Sequence, residues 1–200
     1  MITIQLDNQD YKMPDNWSEV NLERLMKLND IQKKKWSNDI DMTAHILNTL
    51  CDIPVDSILD LSLSDFTQVA ELLTWMDKLP TEKVESIKID DIEYIPVNLQ
   101  NLTAGEYISL EVFQKEDVDA NLHFITSILI RPKVGDRIEK LGDMIDIGNR
   151  AQLFKEKLMV GDLWPIVDGF FNGAALSSLT NTQDSSDQAK NQSRLKIVSS

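Results

Sequence analysis

Residues 2–14 read ITIQLDNQDYKMP, and residues 87–96 read IKIDDIEYIP. Each stretch alternates apolar and polar side chains, passes through two acidic or amide residues, and returns through a second short run that ends in proline. Ile2, Ile4 and Leu6 in the first stretch, and Ile87 and Ile89 in the second, have the period of a half-buried strand. Asp7-Asn8 and Asp90-Asp91 are residues that tolerate tight turns. Tyr11 answers Tyr94, and Pro14 answers Pro96 as the residue that closes the second strand. The chain therefore predicts two β-hairpins, each opening a half of the molecule.

Helical patterns follow both hairpins. Val20, Leu22, Leu25, Met26 and Leu28 fall near helical spacing, with Ser18 as the expected N-cap. In the second half, Thr103 and Glu106 have the T-x-x-E spacing of a capping box ahead of EYISLEVF. A further helix is expected in each half, one carrying His45 and the other His123, stopping near Pro54 and Pro132. Asp41 and Asp119 are expected to cap these two. A last apolar helix is expected to close each half. In the first, Ser62 or Ser64 would cap a run through Phe66, Val69, Leu72, Leu73 and Met76; in the second, Val160, Leu163, Ile166, Val167 and Phe170 repeat the spacing. The extra length of the second half lies in the Gly-containing segment between Pro132 and Ala151. The fold class expected is α+β, mainly helical, in two tandem hairpin-plus-helices units, 1–81 and 82–176, each with the same net negative charge.

Residues 177–200 differ in composition. They are rich in Ser, Asn, Gln and Thr and too poor in large apolar groups to offset the entropy of ordering. Their end, Arg194-Leu195-Lys196-Ile197-Val198, alternates basic and apolar residues. It reads as a frayed tail or as a strand added to a partner's sheet edge.

The 200 residues have a formal net charge of −13, which argues against nucleic acid and anionic lipid as partners. No apolar run approaches a membrane span, and the first residues lack the pattern of a signal peptide. A single cysteine, Cys51, excludes an internal disulfide and suits a reducing compartment. Set in ILNTLCDIP, it reads as a packed thiol rather than a nucleophile. His45 and His123 lack metal-ligand spacing and read as partly buried members of helix faces. Asp90 and Asp91 read as turn formers, against a carboxylate-based, metal-dependent hydrolase as the competing view. Lys33-Lys34-Lys35 beside Trp36 reads as a solvated linker, against contact with an acidic partner. The expectation is a protein without catalytic, cofactor or metal residues.

WPIVDGFF, residues 164–171, is the strongest candidate contact segment. The helix bearing it is expected to start close to Trp164, because proline is tolerated in a first turn. Phe170 would then join Ile166 and Val167 in the core. Trp164 and Phe171, with Leu195 and Ile197 of the tail, are the candidate protein contacts.

The Tyr-x-x-Pro or Tyr-x-Pro hairpin, LTAGEYISLE, the apolar helix ending at Arg131-Pro132 and the FF-containing helix together resemble small structural and assembly proteins of tailed bacteriophages. Tail-assembly-chaperone-like proteins and virion proteins of crAss-like phages are the families meant, over residues 1–175. The resemblance implies a protein made in the host cytoplasm that binds other virion or assembly proteins, or its own copies, and enters the virion or assists it. It supplies no catalytic residues. A cytoplasmic protein-binding adaptor unrelated to phage is the alternative.

Overall fold

The computed structural model describes residues 1–142 and 144–172, apart from the side chains of Leu99 and residues 168–172. The tail at 177–200 lies outside the described residues. The fold is α+β and mainly helical, in two compact units. One comprises Met1–Pro80 with Met159–Gly161; the other comprises Thr81–Leu158 with the described residues from Asp162.

In the first unit, β1 (Ile2–Leu6) pairs antiparallel with β2 (Gln9–Met13), Ile4 facing Tyr11. In the second, β3 (Ile87–Ile89) pairs with β4 (Ile92–Pro96), Ile87 facing Tyr94. Both turns are two residues long with positive φ throughout: 50° and 61° at Asp7 and Asn8, 48° and 65° at Asp90 and Asp91. That is the turn whose twist matches paired strands, and Asn and Asp tolerate it better than other side-chain-bearing residues. The hairpins keep one constant offset through the turn and tyrosine. The prolines do not share it: Pro14 lies just past β2, whereas Pro96 is the last residue of β4.

After a short 3₁₀ turn, α1 (Leu22–Lys33) starts at Asn21, whose side chain accepts from the Arg24 amide at 3.0 Å. Asn21, not Ser18, is thus the cap; Ser18 lies in the 3₁₀ turn that Asn16 caps. Next, α2 (Asp39–Cys51) is capped by Asn38, which accepts from the Asp41 amide, so Asp41 receives the cap rather than supplying it. Leu22, Leu25 and Leu28 bury against this unit's core, as do Ala44, Leu47 and Leu50. These are the i, i+3, i+6 positions that one stripe of a helix presents.

The second unit repeats the plan. Following its own 3₁₀ turn, α5 (Ala104–Leu129) begins with the complete Thr103–Glu106 capping box. Asp117 breaks it, with φ −166° and ψ 109° inside the helical run. The Asp117 side chain accepts from the amides of Asp119 and Ala120, at 3.0 and 3.3 Å, and so caps the second leg. Asp117 holds the place expected of Asp119. The two legs of α5 are the counterparts of α1 and α2, with His123 on the second leg as His45 is on α2.

Beyond these helices the units part. Asp52 ends α2 in the left-handed conformation, φ 59°, and Pro54 leads into α3 (Val55–Leu59) and α4 (Leu63–Glu71). Ser62 caps α4. The expectation of a buried closing helix fails here: α4 buries none of its residues, and only Met76, in the 3₁₀ continuation, is buried. In the second unit the chain leaves α5 in extended conformation at Ile130, φ −123° and ψ 121°. It forms β5 (Ile130–Val134) along β4, then β6 (Arg137–Ile138), across a turn with Gly135 at φ 60°. The sheet order is β3-β4-β5-β6. Neither strand was expected; the segment's few residues per strand show too little alternation. Then come α6 (Met144–Lys157) and α7 (Val160–Asn172). Phe154 of α6 is fully buried and meets Tyr94 edge-on, ring centres 5.1 Å apart. Met159–Gly161 belong to the first unit, within which the Val160 amide donates to the Val20 carbonyl at 2.8 Å. A Cβ on Gly161 would lie 2.9 Å from the Ser18 Cα, so this approach needs glycine.

Candidate functional site

The candidate contact segment is placed differently from expectation. The α7 helix starts at Val160, so Pro165 is inside it rather than in its first position. The earlier start sets Trp164 on one stripe with Val160, Leu163 and Val167. All four are buried, Trp164 at 8% exposure, so this indole belongs to the core and is not a free contact. Phe170 and Phe171 lie in the helical backbone, but their side chains lie outside the described residues, as do Leu195 and Ile197 entirely.

Two ion pairs occupy equivalent places in the units. Arg24, near the start of α1, meets Asp52, just past the end of α2, at 2.5 Å, and donates to the Leu50 carbonyl at 2.6 Å. Glu106, near the start of α5, meets Arg131, just past its end, at 3.0 Å, and Arg131 donates to the Ile128 carbonyl at 3.0 Å. An unbroken helix would hold Glu106 and Arg131 about 37 Å apart. Their contact requires the break at Asp117, which folds the second leg back on the first. Both arginines also satisfy carbonyls at a helix C-terminus, where cations are favoured. Arg150 adds another such bond, to the Ser127 carbonyl at 3.0 Å. Burial lowers its pKa, with Glu139 opposing. Burial also raises the Glu106 carboxyl, but the Thr103 amide and Arg131 outweigh it and hold the group below its ordinary value.

The remaining ionisable candidates have structural surroundings. Cys51 is buried, and desolvation pushes its thiol up to about 12, leaving almost no thiolate at neutral pH. His45 Nδ1 lies 2.9 Å from the Asp41 carbonyl, and its ring packs on Trp36 at 4.5 Å. Trp36 donates to the Ile31 carbonyl and carries Lys34 over its face. The lysine-tryptophan linker is thereby tied to α1 and α2. His123 packs on Phe124, and burial lowers its pKa, with Lys155 adding to the effect. Among the described residues, no group of His, Cys, Asp and Glu is placed to hold a metal ion. An open polar recess of about 620 Å³ lies in the first unit between Arg24, Lys27, Asn48 and Asp52. Its arginine is already committed to Leu50 and Asp52, and Lys27 to Glu23 at 3.0 Å.

Exposed apolar side chains concentrate elsewhere. Between Val134 and Ile145, Val134 is 62% exposed, Ile138 41%, Met144 64% and Ile145 72%. They flank the β5–β6 turn and open α6. Sequence reading missed them because Val134 and Ile138 become visible as surface only once the hairpin is known. Among the described residues, no helix is long and apolar enough to cross a membrane. Comparisons with protein-family models, with curated proteins and with solved structures found no match for this chain.

Proposed function

We propose that this chain is a non-enzymatic structural or assembly protein of a tailed bacteriophage that acts by binding other virion components. The observation that carries the binding role is the exposed apolar group of Val134, Ile138, Met144 and Ile145. Four solvent-facing apolar side chains within twelve consecutive residues, two beside the β5–β6 turn and two opening α6, fit a protein contact. Arg24, Arg131 and Arg150 are engaged in holding helix ends. The phage context rests on the resemblance of the hairpins, LTAGEYISLE and the helix ending at Arg131-Pro132. Mass spectrometry of purified particles, and affinity capture of this chain from infected cells, test the reading. Virion proteins should accompany the wild type and be reduced several-fold with a Val134→Asp/Met144→Asp variant whose thermal melt is unchanged. Host proteins alone, retained by both forms, would replace phage assembly with a cytoplasmic adaptor role.

A further inference from the structure

The two hairpins match through strand and turn, yet their outer edges differ. On β4 the outer edge is filled: Ile95 faces Arg131, Tyr94 faces Pro132, and Lys133 reaches Glu93 at 3.0 Å. On β2, the counterpart of β4, no backbone partner occupies the outer edge among the described residues. The cause is local. The second unit leaves its helix in extended conformation and lays β5 on the edge. The first unit leaves α2 through left-handed Asp52 and turns into α3, so its described residues supply no third strand. In a two-residue hairpin the residues flanking the turn hydrogen-bond to each other, so bonding alternates away from it. Leu6–Gln9 and Ile4–Tyr11 are therefore the bonded pairs, and the backbone groups of Asp10 and Lys12 point outward.

We infer that the outer edge of β2 is a docking site for an added strand, and that its occupant is residues 194–198 of this chain, Arg-Leu-Lys-Ile-Val. The strand that fills the matching edge reads Arg131-Pro132-Lys133-Val134; the tail reads Arg194-Leu195-Lys196-Ile197, the same order of arginine, apolar residue, lysine and aliphatic. Pairing as β5 does sets Leu195 beside Tyr11 and Lys196 beside Asp10. Asp10 stands where the first hairpin answers Glu93, the residue that Lys133 meets in the second. The Lys133–Glu93 pair is thus reproduced as Lys196–Asp10. One neighbour opposes it: Arg194 falls beside Lys12, whose ammonium is held across the hairpin by the Thr3 hydroxyl at 2.6 Å. Asp10 and Lys12 are exposed, so the edge is open to a strand. This inference does not depend on the phage reading.

Amide hydrogen exchange on the full chain tests it. In this register the backbone of residues 194 and 196 bonds to β2, whereas residue 195 points its amide away, as Pro132 does in β5. Lys196→Pro should therefore speed exchange at the Asp10 and Lys12 amides by about tenfold or more. Leu195→Pro should leave them protected. Lys12→Glu, which removes the like-charged neighbour, should slow the Asp10 amide further. Protection that falls on dilution would assign the strand to a second copy, and protection independent of concentration to the same copy; both support the site. Equal exchange in the wild type and Lys196→Pro would overturn it, as would equal losses from the two proline variants.

Discussion

Arg24 with Asp52 and Glu106 with Arg131 do the same work at the same place in two repeated units, with the charges exchanged. Each ties the start of one helix to the residue just beyond the next. Their surroundings differ: Asp52 is 77% exposed, whereas Glu106 and Arg131 are 10% and 7% exposed. In the first unit the chain turns away into α3 and leaves its pair in solvent. In the second, β5 follows the helix directly and carries Arg131 inside. What the repeat keeps is the need to hold two helix ends together. The residues that meet it, and the energy at stake, depend on what the chain does next.

The largest test of that contrast is Arg131→Met, which leaves the Glu106 carboxylate buried without its partner. It should cost the second unit about 3–5 kcal/mol. Arg24→Met removes a pair already screened by water and should cost about 1 kcal/mol or less through the ion pair. Hydrogen exchange resolved by unit measures both; equal costs would erase the distinction between the locks.

Acid sharpens the comparison. The Glu106 pKa is held below its unfolded value, so its contribution is fully present above about pH 4.5 and is lost as pH falls through the folded value. His123 acts in the same direction from higher pH. Its pKa is lowered by burial, so the unfolded chain takes up the proton first, and stability falls as pH drops below about 6.5. The second unit should therefore soften first on acidification. His123→Gln should flatten the upper part of that profile and Glu106→Gln the lower part, as read from denaturant melts across pH. A profile unchanged in both variants would assign the acid response to other groups.

The hairpin turns offer the smallest effect. Asn8→Gly and Asp91→Gly each relieve a side chain held at positive φ and should stabilise their hairpins by up to about 1 kcal/mol. Because the turns are alike, the two gains should agree; a marked difference, seen by exchange at Tyr11 and Tyr94, would weaken the equivalence of the hairpins.

The sequence by itself determined the local elements. Alternation and the Asp-Asn and Asp-Asp pairs were sufficient for both hairpins, because strand period and left-handed turn tolerance are properties of a few adjacent residues. The Thr103–Glu106 box was legible for the same reason, since both partners lie within one turn. Ser62, one of the two serines expected to cap α4, does so, but three other caps were missed by two or three residues: Asn21, Asn38 and Asp117 compete with nearby Ser and Asp side chains that are equally able to accept an amide. Only the tertiary structure decided that 130–138 forms strands, because five residues such as IRPKV become a strand when an open edge lies beside them. It likewise decided that Trp164 is core, since moving the start of a helix by four residues changes which neighbours share its buried stripe. The charge-exchanged locks were illegible in principle from local pattern: Glu106 and Arg131 are far apart along the chain and meet only when the break at Asp117 folds the helix back.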